Sequence, residues 1–231
     1  MVSILIVATN NYTQFVSDLA KSVEEYWHVP YELHIFTDRV GEIGDMLIDE
    51  DVCVHEIEHR EWPYATLYRF HFFRRYMNSI QGDYVFYVDA DTRFTDNIDN
   101  IFSDRVATQH CGFVGERGSY EKNQESVAYV APHEGTMYYG GGFYGFSKDE
   151  FVKFNNHMVA MVEADRKKGI TPEHNDEAYM NRYFVDNPPT LVLSPSYHYP
   201  ENHPYIYSKW GGKDRYQCKL LLLNKNHKQI R

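Results

Sequence analysis

Tyr84-Val85-Phe86-Tyr87-Val88-Asp89-Ala90-Asp91 places two carboxylates directly after an apolar run. Such a run reads as a strand buried on both faces, and open α/β sheets bind ligands at the carboxyl ends of their strands. A bend leaving the strand can turn residues spaced by two toward one point, so Asp89 and Asp91 are candidates to hold a single cation. Two hard oxygen ligands with no cysteine nearby suit Mg²⁺ or Mn²⁺ rather than structural zinc, and such an ion keeps positions free for phosphate oxygens. The bland alternative is a pair of solvated turn aspartates. A second acidic pair, Asp176-Glu177, opens a predicted helix, where it either serves chemistry or complements the helix dipole.

Two other motifs lead elsewhere. His55-Glu56-Ile57-Glu58-His59 matches H-E-x-x-H, which gathers zinc only on a helix. Val52 and Val54 precede it in strand-like alternation, and four residues of strand span about 13 Å, too far for one zinc. The segment is expected to be an exposed edge strand. Gly140, Gly142 and Gly145 match G-x-G-x-x-G, but Phe143-Tyr144 and another strand-like stretch follow, where a dinucleotide site would open a helix. These glycines mark either a turn where a side chain would obstruct something or the close approach of a ligand.

The elements that must position these residues alternate between strand and helix. Strands are expected at Ser3–Ala8, Glu32–Phe36, Tyr84–Val88, Val127–Val130, Phe143–Phe146 and Leu191–Leu193. Phe15, Leu19, Val23 and Tyr26 recur at helical spacing, as do Leu67, Phe70, Phe73, Met77 and Ile80. A loop containing Gly41 and Gly44 is expected between the second strand and the next element. Ser147 and Glu150 form an S-x-x-E capping pair ahead of a helix striped by Phe151, Phe154, Met158, Met161 and Val162. A further helix runs through about Asp176–Phe184. The order implies an α/β layer fold with a mostly parallel central sheet flanked by helices, in one domain spanning 1–231.

Composition narrows the function. Of 231 residues, 43% are hydrophobic and 24% charged, ordinary for a globular protein. No apolar run approaches the roughly 18 residues of a membrane span. The apolar start has no basic leader or cleavage site, so a cytoplasmic protein is expected, and three widely spaced cysteines fit a reducing compartment. The net charge of −10 argues against nucleic-acid binding. An anionic ligand would then need a local positive charge, supplied by a metal ion or a basic segment. The 20 tyrosines suit sugar or base stacking as well as ordinary packing.

Taken in order, VATNNY, ELHIFTD, EWPYATLYRFHFF, YVDADTRF, GTMYYGGGFYGFS, HNDEAYMNRYF, NPPTLVLSPSYHYP and KNHKQIR resemble glycosyltransferase family six, the histo-blood-group A and B transferases and α-1,3-galactosyltransferases, and most closely its short bacterial-type members. The resemblance runs over essentially the whole chain. It implies a single GT-A domain that transfers GalNAc or Gal from a UDP-sugar to a galactoside-type glycan acceptor with retention. It places Val7, Ala8, Thr9 and Tyr12 at the uridine, Arg69 toward the donor sugar, and Mn²⁺ (or Mg²⁺ in its place) on Asp89 and Asp91. Gly140, Gly141 and Gly142 would face the sugar's 2-substituent; a glycine at 142 leaves room for N-acetyl and so favours GalNAc, a discrimination of roughly 1–3 kcal/mol. Asp176 would bind sugar hydroxyls, and Glu177 would face the anomeric carbon, as ion-pair partner or as nucleophile; front-face return, with UDP itself taking the acceptor's proton, is the alternative. Lys225 and Arg231 would close over the diphosphate as part of a mobile basic tail at about 211–231.

The departures from the family fall on the acceptor side. His174-Asn175 stands where Trp-His is common, and Glu116-Arg117-Gly118-Ser119-Tyr120 replaces an H-P-G-F-Y-like segment. Tyr197, Tyr199 and Trp210 are candidate acceptor-stacking surfaces, with core packing as the equal alternative. The altered acceptor side also keeps open a UDP-sugar- or carbohydrate-binding protein without efficient turnover.

Overall fold

The apolar run after Met1 is a strand because both of its faces are buried: Ile4 and Ile6 pack into one hydrophobic layer and Leu5 into the other. A computed structural model describes residues 1–47 and 51–225. Along it run β1 (Val2–Val7), α1 (Val16–Tyr26), β2 (Tyr31–Thr37), α2 (Val40–Met46), β3 (Val52–Glu56), α3 (Tyr64–Leu67), α4 (Arg69–Arg75), β4 (Tyr84–Val88), β5 (Thr92–Phe94) and β6 (Arg105–Gln109). Then come β7 (Tyr139–Ser147), α5 (Lys148–Lys167), α6 (Asn175–Asp186), β8 (Leu191–Leu193), β9 (Tyr199–Pro200), α7 (Pro204–Trp210) and β10 (Leu220–Leu222).

Seven strands form the central sheet in the order β3-β2-β1-β4-β7-β6-β8. The block β3-β2-β1-β4 is parallel throughout; β7 runs antiparallel between β4 and β6, and β8 is parallel to β6. The expected α/β architecture with a mostly parallel sheet is therefore the one observed. Phe70, Phe73, Phe151, Phe154 and Phe184 cover one face, from α4, α5 and α6. Leu19, Val23 and Trp27 cover the other, from α1 and the residue after it. Trp27 meets Phe86 and Phe94 edge-on, with ring centroids 5.6 and 5.7 Å away. Among the described residues no helix is long and apolar enough to cross a membrane.

Several local expectations are corrected. Gly41 and Gly44 lie inside α2, not in a loop: the burial of Ile43 holds a helix that two glycines weaken. The helix expected over Leu67–Ile80 is interrupted, with α3 ending at Leu67, α4 ending at Arg75 and a 3₁₀ turn at Met77–Ser79. Val127–Val130 is a turn, because buried Asp165 on α5 captures Ser126 Oγ at 2.5 Å and the Val127 N–H at 3.0 Å. Ser147 is the residue before α5 but makes no capping hydrogen bond; Glu150 instead takes Arg105 and Lys153, each at 2.7 Å. His55 lies on an edge strand as expected, yet it is buried rather than exposed.

The glycines of G-x-G-x-x-G sit within β7, not in a turn. Gly145 is the register partner of Phe86, whose ring lies where a side chain would be: a Cβ there would stand 2.2 Å from Phe86 Cε1. Gly145→Ala should therefore lower stability by about 1–3 kcal/mol through overpacking, read as a shift of the urea midpoint. An unchanged midpoint would mean that the ring relocates freely.

Candidate functional site

β1 and β4 are parallel neighbours, so the residues following Val7 and Val88 leave the sheet at the same edge. Asp89 is held there by its N–H, which donates to Gly142 O at 2.9 Å, and by the Tyr87 hydroxyl, which donates to Asp89 Oδ1 at 2.6 Å. Its side chain remains 40% exposed, leaving oxygen available to a ligand. Asp91 is buried and contacts the Lys225 ammonium. That contact follows from sheet pairing: β10 runs antiparallel to β5, and Leu223 N–H donates to Asp91 O at 3.0 Å, delivering Lys225 to the acidic pair. Burial and the neighbouring Asp89 charge raise the pKa of Asp91, with Lys225 opposing them. The charges of Asp89 and Asp91 thus act on each other, and an ammonium stands against Asp91.

Arg69 opens α4 and is buried beneath this pair. Its guanidinium lies 4.3 Å from the Tyr87 ring centroid, 3.6 Å from Asp89 Oδ1, and in direct contact with Asp176 Oδ2. It therefore joins the first acidic pair to the second. Asp176 and Glu177 occupy the first turn of α6, where their charges complement the helix dipole. Asn181, one turn later, ties this helix to β7, accepting from Tyr139 N–H and donating to Tyr139 O, both at 2.8 Å. The β6–β7 register jumps from Ala107↔Tyr144 to Thr108↔Gly140. This bulge leaves Gly141 N–H out of the β6 ladder, and it donates to Glu177 Oε2 at 2.8 Å. Burial raises the pKa of Glu177, against the opposing hydrogen bond from Gly141.

A cavity of about 660 Å³ opens beside these groups, within the usual size range for small-molecule sites. Val7, Thr9, Tyr12, Arg69, Asp89, Asp91 and Lys225 all line it. Ala8 is adjacent but fully buried in the core, leaving only its backbone for a ligand. Asp176, Glu177 and Gly140–Gly142 do not line it; Asp176 contacts Arg69, and Gly142 O accepts from Asp89 N–H. A Cβ on Gly142 would lie 3.0 Å from Asp89 Oδ2, and one on Gly140 would lie 2.5 Å from His198 Nε2, so this strand runs close against its neighbours. Arg231 lies outside the described residues.

The acceptor-stacking reading of three aromatics is corrected. Tyr197 stacks on Phe143 with centroids 5.7 Å apart, and Tyr199 and Trp210 pack against each other at 5.2 Å; all three are buried in hydrophobic clusters. Sequence reasoning also missed wall residues of the cavity: His59, Arg60, Trp62 and Tyr87. His59 Nδ1 stands 3.1 Å from Thr9 Oγ1, and Arg60 lies over the Tyr68 ring at 4.1 Å. The usable signal was position: His59–Trp62 follow β3 at the same carboxyl edge as Asp89.

This sheet, with an acidic pair leaving a central strand beside a nucleotide-sized cavity, is a GT-A type of α/β fold. The chain belongs to glycosyltransferase family 6, whose sequence profile matches residues 1–231. It is 27% identical over 217 residues to human globoside alpha-1,3-N-acetylgalactosaminyltransferase 1, covering 88% of this chain and 62% of that protein. It is 28% identical over 247 residues to rat histo-blood group ABO system transferase 1, covering 100% of this chain and 68% of that one. With the Escherichia coli O-antigen biosynthesis glycosyltransferase WbnI it shares 26% identity over 212 residues, 88% of this chain and 89% of that one. The chain thus spans only about three-fifths to two-thirds of the length of the mammalian relatives.

Proposed function

We propose that this chain is a retaining α-1,3-glycosyltransferase that moves GalNAc, or Gal, from a UDP-sugar to a galactoside-type glycan. The observation that carries the proposal is Arg69, which couples Asp89 on the cavity wall to Asp176 beside Glu177. The names of the relatives support GalNAc transfer.

Asp89 and Asp91 fit Mn²⁺, or Mg²⁺ in its place: both are hard oxygen donors, and the ammonium against Asp91 supports a preference for positive charge there. When bound, such an ion neutralises diphosphate charge. Lys225, beside the same carboxylate and 5.0 Å from the Tyr12 ring centroid, adds positive charge where UDP departs. The bond from C1 to the diphosphate oxygen breaks, its electron pair leaving with UDP. The Glu177 carboxylate, held in place by Gly141 N–H, stabilises the positive charge that develops on the sugar. The acceptor oxygen bonds to C1, and its proton goes to the departing phosphate.

The test is UDP release from UDP-GalNAc, UDP-Gal and UDP-Glc, with Mn²⁺ or with EDTA, before any acceptor is known. Release that is greatest from UDP-GalNAc, requires Mn²⁺ and falls sharply in Asp91→Asn supports donor and metal together. Full activity of Asp91→Asn in EDTA refutes the metal role. UDP binding without release from any donor moves the reading to a UDP-sugar-binding protein.

A further inference from the structure

Toward the amino ends of the strands, away from the cavity, β2 and β3 bring Glu32, His34 and Cys53 together. Residues spaced by two share a face of a strand, so Glu32 and His34 stand side by side. Cys53 is the register partner of His34 across the parallel pair. Cys53 Sγ lies 3.2 Å from Glu32 Oε1, His34 Nε2 lies 2.8 Å from Glu32 Oε2, and the three ligand atoms all fall within 4.8 Å of one another. The contrast with H-E-x-x-H is geometric: a spacing of two plus a register neighbour converges, where a spacing of four along one strand does not.

The His34 ring is fully buried. His34 Nε2 and Glu32 Oε2 face each other at 2.8 Å, an ion-pair contact within the cluster. With Cys53 Sγ beside them, the two atoms border a space in which a metal ion could take the place of the proton between them. On the other side of the ring, His34 Nδ1 is 2.9 Å from His55 Nε2, and the rings are parallel within 2°. In the tautomer that donates Nδ1–H to His55, Nε2 would carry the lone pair a metal requires.

A second cluster, His110, Cys111 and His198, fails this test. Nδ1 of His110 accepts from Gly112 N–H at 3.0 Å and Nδ1 of His198 from Cys111 N–H at 3.4 Å, which leaves the protons of the neutral rings on Nε2.

We propose that Glu32, His34 and Cys53 bind Zn²⁺, with water completing a tetrahedral set. Thiolate, imidazole and carboxylate together select a borderline-soft ion, unlike the all-oxygen pair at Asp89 and Asp91. Binding releases the Cys53 thiol proton to solvent. The Glu32 side chain is 24% exposed and provides the way in. The ion would clasp edge strand β3 to β2.

Co²⁺ is the probe, added to the metal-free chain and followed by thiolate-to-metal charge-transfer absorption. The expected result is a saturable band that Zn²⁺ displaces, that is lost in Cys53→Ser, and that persists in Cys218→Ser and Asp91→Asn. His55→Phe, which removes the acceptor for Nδ1–H, should weaken affinity roughly ten- to a hundredfold while keeping the band. Glu32→Gln, which alters a ligand without altering shape, should weaken Zn²⁺ by about tenfold or more, and it serves if Cys53→Ser fails to fold. No band in the unaltered chain, a band retained in folded Cys53→Ser, or unchanged Zn²⁺ affinity in Glu32→Gln overturns the proposal.

Discussion

Glu177→Gln should lower turnover of the UDP-sugar at least about a hundredfold while leaving UDP affinity nearly unchanged, the size expected when one preorganised charge is removed from a developing centre. The separation follows from position. Glu177, its Oε2 taken by Gly141 N–H, contributes nothing to the lining where the nucleotide would sit. Glutamine keeps the shape and loses the charge. Calorimetry with UDP beside a turnover assay checks it; loss of UDP binding with turnover per bound donor unchanged would remove Glu177 from the chemistry. The same carboxylate predicts a pH profile. In the proposed mechanism the ionised form acts, and burial raises its pKa, so the acid-side loss of activity should begin at a higher pH than for an ordinary glutamate.

Arg69→Leu should cost about 3–5 kcal/mol of stability, because removing one partner of a buried pair leaves the other charge uncompensated. Asp176 is 8% exposed and has its counter-charge in Arg69, which also faces Asp89. Lysine should not rescue the loss: a single ammonium cannot reach both carboxylates in a planar fork while stacking on Tyr87. The urea midpoint reads the effect. The double variant Arg69→Leu, Asp176→Asn should recover part of the loss, since it removes the orphaned charge. A midpoint that does not move in Arg69→Leu would show that water already compensates Asp176.

The strands and helices that position the site were legible where both faces of an element or one full stripe are apolar. Val85 and Tyr87 pack into one layer and Phe86 and Val88 into the other, so Tyr84–Val88 could be little else than a central strand. Elements held by a few long-range contacts were not legible. Ile43 anchors α2 despite its glycines, and β10 exists because it pairs with β5 and β9, segments far away in the chain. A turn at Val127–Val130 replaced a strand because Asp165, remote in sequence, takes its hydrogen bonds.

The amino-acid sequence by itself determined the family, the mostly parallel sheet and the acidic pairs, because apolar periodicity and the order of short segments are local properties of the chain. Only the tertiary structure decided what those residues do to one another. Arg69 bridges Asp89 and Asp176, Lys225 rests on Asp91, a bulge in β7 turns Gly141 N–H to Glu177, and the aromatic rings of Tyr197, Tyr199 and Trp210 belong to the core. Each of these depends on which strands pair and in which register, and register is set by how whole faces bury against each other, a cooperative outcome that no single segment encodes.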